Sequence, residues 1–183
     1  MVRRNMIDQT AARGNTMNAT ELRAMQAPIK QAYRDHPETA VIPARATGRI
    51  DQAALACVVE TGHATIKAGL HPAAGGDGSL ACSGDMLLDA VVACAGVTLA
   101  AVATAMGITI HHGTVTAEGH WDARGTLGTD RTAPVGVTDI TLRFALDTDA
   151  DAATTTRLIA TTERYCVVLQ TLRNPPQITV DPG

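Results

Sequence analysis

The sequence predicts an α+β fold, with antiparallel sheets wrapped around two long core helices. Three observations carry that expectation. Residues 83–110, SGDMLLDAVVACAGVTLAAVATAMGITI, contain no charged residue from Ala90 to Ile110, as a helix buried over most of its surface requires. Ile140, Leu142, Phe144 and Leu146 alternate with Thr141, Arg143 and Ala145, the period of a half-buried strand. Residues 150–172 then place Leu158, Ile159, Thr162, Cys166 and Leu169 on one helical stripe. The order of strands, long helix, strands, long helix and strand needs few parallel crossovers.

Each element has its own justification. Residues 1–17 are polar and without period and read as a flexible leader. Residues 18–38 form an N-terminal helical extension: Asn18 or Thr20 caps it, Leu22, Met25 and Ile29 recur at helical spacing to about Arg34, Pro28 kinks it, and His36 and Pro37 end it. Residues 39–183 form the main domain. Its first strands are 39–46, 53–60 and 63–68, with Thr61 and Gly62 in a tight turn.

Residues 69–79, GLHPAAGGDGS, read as a connecting loop. Glycines ahead of a helix can present backbone N–H groups to an anion, but this loop has neither a P-loop ending nor the ordered glycines of a dinucleotide fingerprint. Ser83 caps the central helix, Asp85 meets its dipole, and Gly107 stops it. Residues 114–123 read as a strand and 125–134 as a loop. Asp147 or Asp149 opens the second long helix, Asn174, Pro175 and Pro176 close it, and 177–180 make a last short strand.

Composition bounds the function. A chain of 183 residues forms one domain burying about two thirds of its surface. It is 45% hydrophobic but only 2% aromatic, so Ala, Val, Leu and Ile fill the core, and sharing that core across a homodimer relieves the shortage of large side chains. A net charge of −3 and a pI near 6.0 supply no basic patch, which excludes nucleic acid as a partner. The long apolar run has the length of a membrane span. Its Ala, Val, Thr and Gly content and lack of a basic flank favour a core helix, with no membrane partner. No apolar signal stretch opens the chain, so a cytoplasmic location is expected. Cys57, Cys82, Cys94 and Cys166 include no CxxC pair, which argues against both a metal site and a disulfide scaffold. Taken singly, each reads as a small buried hydrophobe.

Cys94 and Cys166 fall near the middles of the two long helices. Helices crossing there would bring the sulfurs within disulfide reach, where Cα atoms lie about 4.4–6.8 Å apart. A peroxide-reducing thiol needs such a partner, because its sulfenic acid must be resolved before it over-oxidises.

At these residues the chain resembles a known family. Gly84-Asp85-Met86-Leu87-Leu88 followed by Ala93-Cys94 resembles the Pro-x-Glu-Leu-Leu…Cys helix of the OsmC/Ohr family of osmotically induced and organic hydroperoxide resistance proteins. Glu163-Arg164-Tyr165-Cys166 followed by Thr171-Leu172 resembles its second-cysteine helix. The likeness spans about residues 39–180 and points to a divergent OsmC-like subgroup. It implies an intertwined homodimer and a thiol peroxidase for organic hydroperoxides, with Cys94 peroxidatic, Cys166 resolving, a dithiol or lipoyl-type reductant, and no metal or flavin cofactor.

The resemblance also implies a cation beside the thiolate, because burial in an Ala/Val helix raises a thiol pKa. By order along the chain Arg49 is its first candidate and Arg45 its second. The family's glutamate position holds Gly84 here. Asp85 lies nine residues before Cys94, which at about 100° per residue places it on the opposite side of the helix. It reads as a helix-start residue more than as a clamp. His63, His71, His111 and His112 are alternative thiolate partners, Cys57 reads as core, and Cys82, at the helix start, is the rival nucleophile. Two other functions fit the same residues: a non-catalytic dimer binding a small hydrophobic ligand, and a thiol–disulfide oxidoreductase.

Overall fold

A computed structural model describes residues 17–182. The expected leader therefore lies outside the described residues, except for Met17. Helix α1 (Ala19–Asp35) opens with a full capping box: the Asn18 carboxamide accepts from the N–H groups of Thr20 and Glu21, and the Glu21 carboxylate accepts from Asn18 N–H at 2.9 Å. Pro28 sits inside it, and His36 closes it.

The expected strand at 39–46 is not formed. Pro37 starts a single 3-10 turn, Pro37–Ala40, and Pro43, without an N–H, cannot serve a ladder there. Strand β1 (Thr47–Asp51) comes later, antiparallel to β2 (Ala56–Glu60), which pairs with β3 (Thr65–Gly69). A Cβ on Gly48 would stand 2.6 Å from Cys57 Sγ, so glycine is what lets β1 close over that thiol. The connecting loop folds back through a second 3-10 turn, Pro72–Ala74, and returns as β4 (Ala81–Cys82), parallel to β3. Here Gly76 passes so close to the Leu70 carbonyl that a Cβ would lie 1.8 Å from its oxygen.

Helix α2 (Ser83–Met106) runs directly from β4. Cys82, not Ser83, occupies its N-cap position and makes no side-chain cap bond, and Gly107 ends it at φ +71° as expected. Val91, Ala95, Leu99 and Ala103, four residues apart, are its buried positions. Strands β5 (Ile110–His120) and β6 (Asp139–Thr148) form a two-stranded antiparallel sheet. Between them lies an unanticipated short helix, α3 (Ala123–Leu127), capped by the Asp122 carboxylate and stopped by Gly128. Helix α4 (Ala152–Tyr165) is capped by Asp151, not by Asp147 or Asp149.

The core forms where Leu99 and Ala103 of α2 meet Leu158 of α4, with Val102, Met106, Ile108, Ile110, Val115, Phe144 and Leu146 packed around them. Helix α2 is long and apolar enough to cross a membrane by length and composition; it lies against β5, α4 and α5 (Val167–Arg173), but only 22% of its most apolar stretch is buried within the chain, where the sequence predicted burial over most of its surface. The long second helix predicted over 150–172 is two helices, broken at Cys166. No strand forms at 177–180, where Ile178 and Val180 are exposed.

Candidate functional site

Cys94 sits on α2, one turn beyond buried Val91 and beside buried Ala95, so its sulfur faces the α4–α5 junction while remaining half-buried. Cys166 is that junction. Its φ/ψ of −73°/106° is extended, so it ends α4 and begins α5, and it is wholly buried. The two thiols are near enough that each shifts the other's ionisation, and they are not joined as a disulfide.

The surroundings treat the two sulfurs oppositely. Burial pushes the Cys94 thiol up, but hydrogen bonds from the Val168 N–H, the Cys166 thiol, the Thr98 hydroxyl and the Val167 N–H outweigh it. Its pKa ends below the ordinary thiol value. Burial also pushes Cys166 up, and the neighbouring Cys94 sulfur adds to this. The N–H groups of Leu169 and Val168 oppose it without closing a tight cap, and Cys166 ends above the ordinary value. The two thiols titrate as a pair, with their surroundings lowering Cys94 and raising Cys166.

The break in the helix is what supplies those donors. A continuous helix would commit each amide to the carbonyl four residues back. At the junction the Val167 and Val168 amides turn to Cys94 instead. This arrangement was not readable from the apolar stripe, which runs unbroken through Cys166.

Arg49 is not brought to this site within the chain. It lies exposed on β1 opposite Val58, in the sheet that joins the helical body through β4 and α2. Arg45 is exposed ahead of that strand. Asp85 is exposed in the first turn of α2, on the side away from Cys94, and makes no clamp there. In place of a guanidinium, the groups lowering Cys94 are amides, a hydroxyl and a thiol. Sequence reasoning missed Thr98, whose signal is its i+4 position on the face of Cys94.

The other candidates lie elsewhere. His63 occupies an exposed turn, and His111 and His112 are exposed at the start of β5. The His71 ring accepts from the Ala73 N–H at 3.0 Å and meets Trp121 edge-on, with ring centroids 5.3 Å apart. Cys57 is half-buried on β2. Cys82 lines a cavity of about 360 Å³ together with His71, Leu87 and Trp121. Among the described residues no cluster of His, Cys, Asp and Glu is arranged to hold a metal.

Comparison with known proteins identifies the family and the fold. A family model described as OsmC-like protein matches residues 76–181, more than half of the chain. The fold is similar to an OsmC-like protein from Mycoplasma pneumoniae, with TM-score 0.62 and 16% identity over 73% of this chain and 89% of that one. It is similar to an organic hydroperoxide resistance protein from Elizabethkingia anophelis, with TM-score 0.59 and 14% identity over 74% and 91%. The protein from Legionella pneumophila described as organic hydroperoxide resistance protein OsmC aligns with TM-score 0.52 and 16% identity over 73% and 90%. A search of curated proteins gives no match.

Proposed function

This chain belongs to the OsmC-like protein family, and from that premise we propose that it is a thiol peroxidase reducing organic hydroperoxides through Cys94 and Cys166. The observation that carries the reading is the contact between the two sulfurs, with Cys94 favoured as thiolate and Cys166 as the protonated partner. The Cys94 thiolate attacks the distal peroxide oxygen; an S–O bond forms, the O–O bond breaks, and the alkoxide takes a proton to leave as an alcohol. The Cys166 thiol then attacks the sulfenic sulfur, forming the disulfide and releasing water. A small dithiol of the lipoyl type returns two electrons by thiol–disulfide exchange. The amides of Val167 and Val168 stabilise the attacking thiolate and the departing one alike. No step draws on a metal or flavin, and the work suits a reducing, cytoplasmic compartment.

A homodimer is part of this proposal. Ile50, Val97, Ile178 and Val180 are 80%, 73%, 81% and 87% exposed, and a second copy is the natural cover for them. It would also be the route by which an Arg49 reaches a Cys94. The second reading, a dimer that binds a small hydrophobic molecule without catalysis, is favoured by the cavity lined by Leu87 and Trp121.

The deciding experiment is peptide-level mass spectrometry of the reduced protein before and after one equivalent of an organic hydroperoxide. A Cys94–Cys166 disulfide that forms within seconds, and is absent in Cys94→Ser, supports the peroxidase. Thiols still reduced after many minutes would end it and leave the binding reading.

A further inference from the structure

The break between α4 and α5 has its own support. Cys166 N–H still donates to the Thr162 carbonyl, and Gln170 N–H to the Cys166 carbonyl, both at 2.9 Å. What the interruption releases is therefore the amides of Val167, Val168 and Leu169, and the carbonyls of Glu163, Arg164 and Tyr165. The Val167 and Val168 amides go to the Cys94 sulfur. The Glu163 carbonyl, which Val167 would have taken in a continuous helix, receives the Gln170 side chain instead: Nε2 donates to it at 2.7 Å.

A part-buried carbonyl needs a donor, and the same helix offers it two competitors, Val167 N–H and Gln170 Nε2. With Gln170 in place, Val167 is free to turn toward the thiol. Neighbouring bonds hold the glutamine there. Arg173 bridges to the Glu163 carboxylate at 2.9 Å, tying α5 back onto α4, and Asn174 Nδ2 donates to Gln170 Oε1 at 3.5 Å.

We infer that Gln170 is a positioning residue: by occupying the Glu163 carbonyl it holds the helix break open and keeps the Val167 and Val168 amides on the Cys94 sulfur. The inference rests on the reading of Cys94 as the reactive thiol. It explains why residues whose pattern suits one continuous helix form two.

The test is the rate of iodoacetamide alkylation of Cys94 against pH, followed by peptide mass spectrometry on the reduced full-length protein, with Cys57 as internal reference. Gln170→Met and Gln170→Glu both lack the donor at neutral pH, the second with nearly the original shape, and Gln170→Lys keeps a donor of similar reach. Circular dichroism shows which variants are folded. Loss of one or two neutral hydrogen bonds to the thiolate predicts alkylation of Cys94 at pH 7 slowed about three- to tenfold in the Met and Glu variants. The midpoint of the profile moves up, the Cys57 rate stays constant, and the Lys variant is not slowed. A Cys94 profile within twofold of wild type in a folded Met or Glu variant overturns the inference. So does equal slowing of Cys57, or slowing in the Lys variant as large as in Met. No hydroperoxide enters the assay, so a Cys94 inert to peroxide would sink the peroxidase reading while this result stood by itself.

Discussion

Val91, Ala95, Leu99 and Ala103 of α2 are closed off from water by the elements that follow it, while Val41, Ile42 and Ile50 before it stand 79%, 69% and 80% exposed. Both regions draw on a chain with 2% aromatic residues. The C-terminal body meets that shortage with small residues that let helices approach closely, so that Leu158 and Cys166 reach zero exposure. The N-terminal region has α1 with no buried residue and a sheet with only Ala56 and Ala68 buried. Close approach of small side chains makes a core only where three elements converge, as they do around Leu158. Among the described residues, the sheet is attached mainly through β4 and has no third element packed closely over it.

The contrast can be broken at its strongest point first. Replacing Cys94 by Ser should reduce hydroperoxide-dependent oxidation to background, while Cys166→Ser should retain a single turnover and then accumulate sulfinic acid on Cys94, both read by peptide mass. Next, Leu158→Ala should cost about 2–5 kcal/mol in urea unfolding, as cavity formation in a closed core does. Ile50→Ala should leave that stability within about 0.5 kcal/mol yet weaken self-association in sedimentation velocity. If Ile50→Ala destabilises as much as Leu158→Ala, the N-terminal sheet is already covered within one chain and the contrast fails.

The pH response sharpens the comparison at the sulfurs themselves. Cys94 lies below the ordinary thiol pKa and Cys166 above it. As pH rises, Cys94 should become alkylatable before Cys166, because the charge already on Cys94 opposes the second ionisation. The reverse order would assign the thiolate to Cys166. A small effect is expected at Thr162, wholly buried, whose hydroxyl donates back to the Leu158 carbonyl at 2.9 Å. Thr162→Val keeps the shape and leaves that carbonyl its helical partner, the Thr162 backbone N–H, so about 1 kcal/mol or less is expected in the same unfolding experiment.

Much of the fold was legible because the signals were local. Asn18 with Glu21, Gly107 as a stop, and the alternation through Phe144 each name a backbone geometry that a few neighbouring residues settle. The displaced first strand and the missed α3 had readable causes as well: Pro43 in the proposed strand, and Asp122 and Gly128 bracketing five residues. The cap at Asp151 was passed over in favour of Asp147 or Asp149, although it is the aspartate immediately before the helix.

By itself, then, the sequence determined the α+β class, the two apolar helical segments and the two cysteines on them. Those properties follow from periodicity, capping and side-chain chemistry within a turn or two. Only the tertiary structure decided that the second segment breaks at Cys166, that the two sulfurs meet, and that amides rather than Arg49 surround Cys94 within the chain. Each of these depends on which donor wins a given carbonyl or sulfur once distant segments pack. That competition is settled in three dimensions, where Gln170 and Val167 contend for one oxygen, and no spacing along the chain records its outcome.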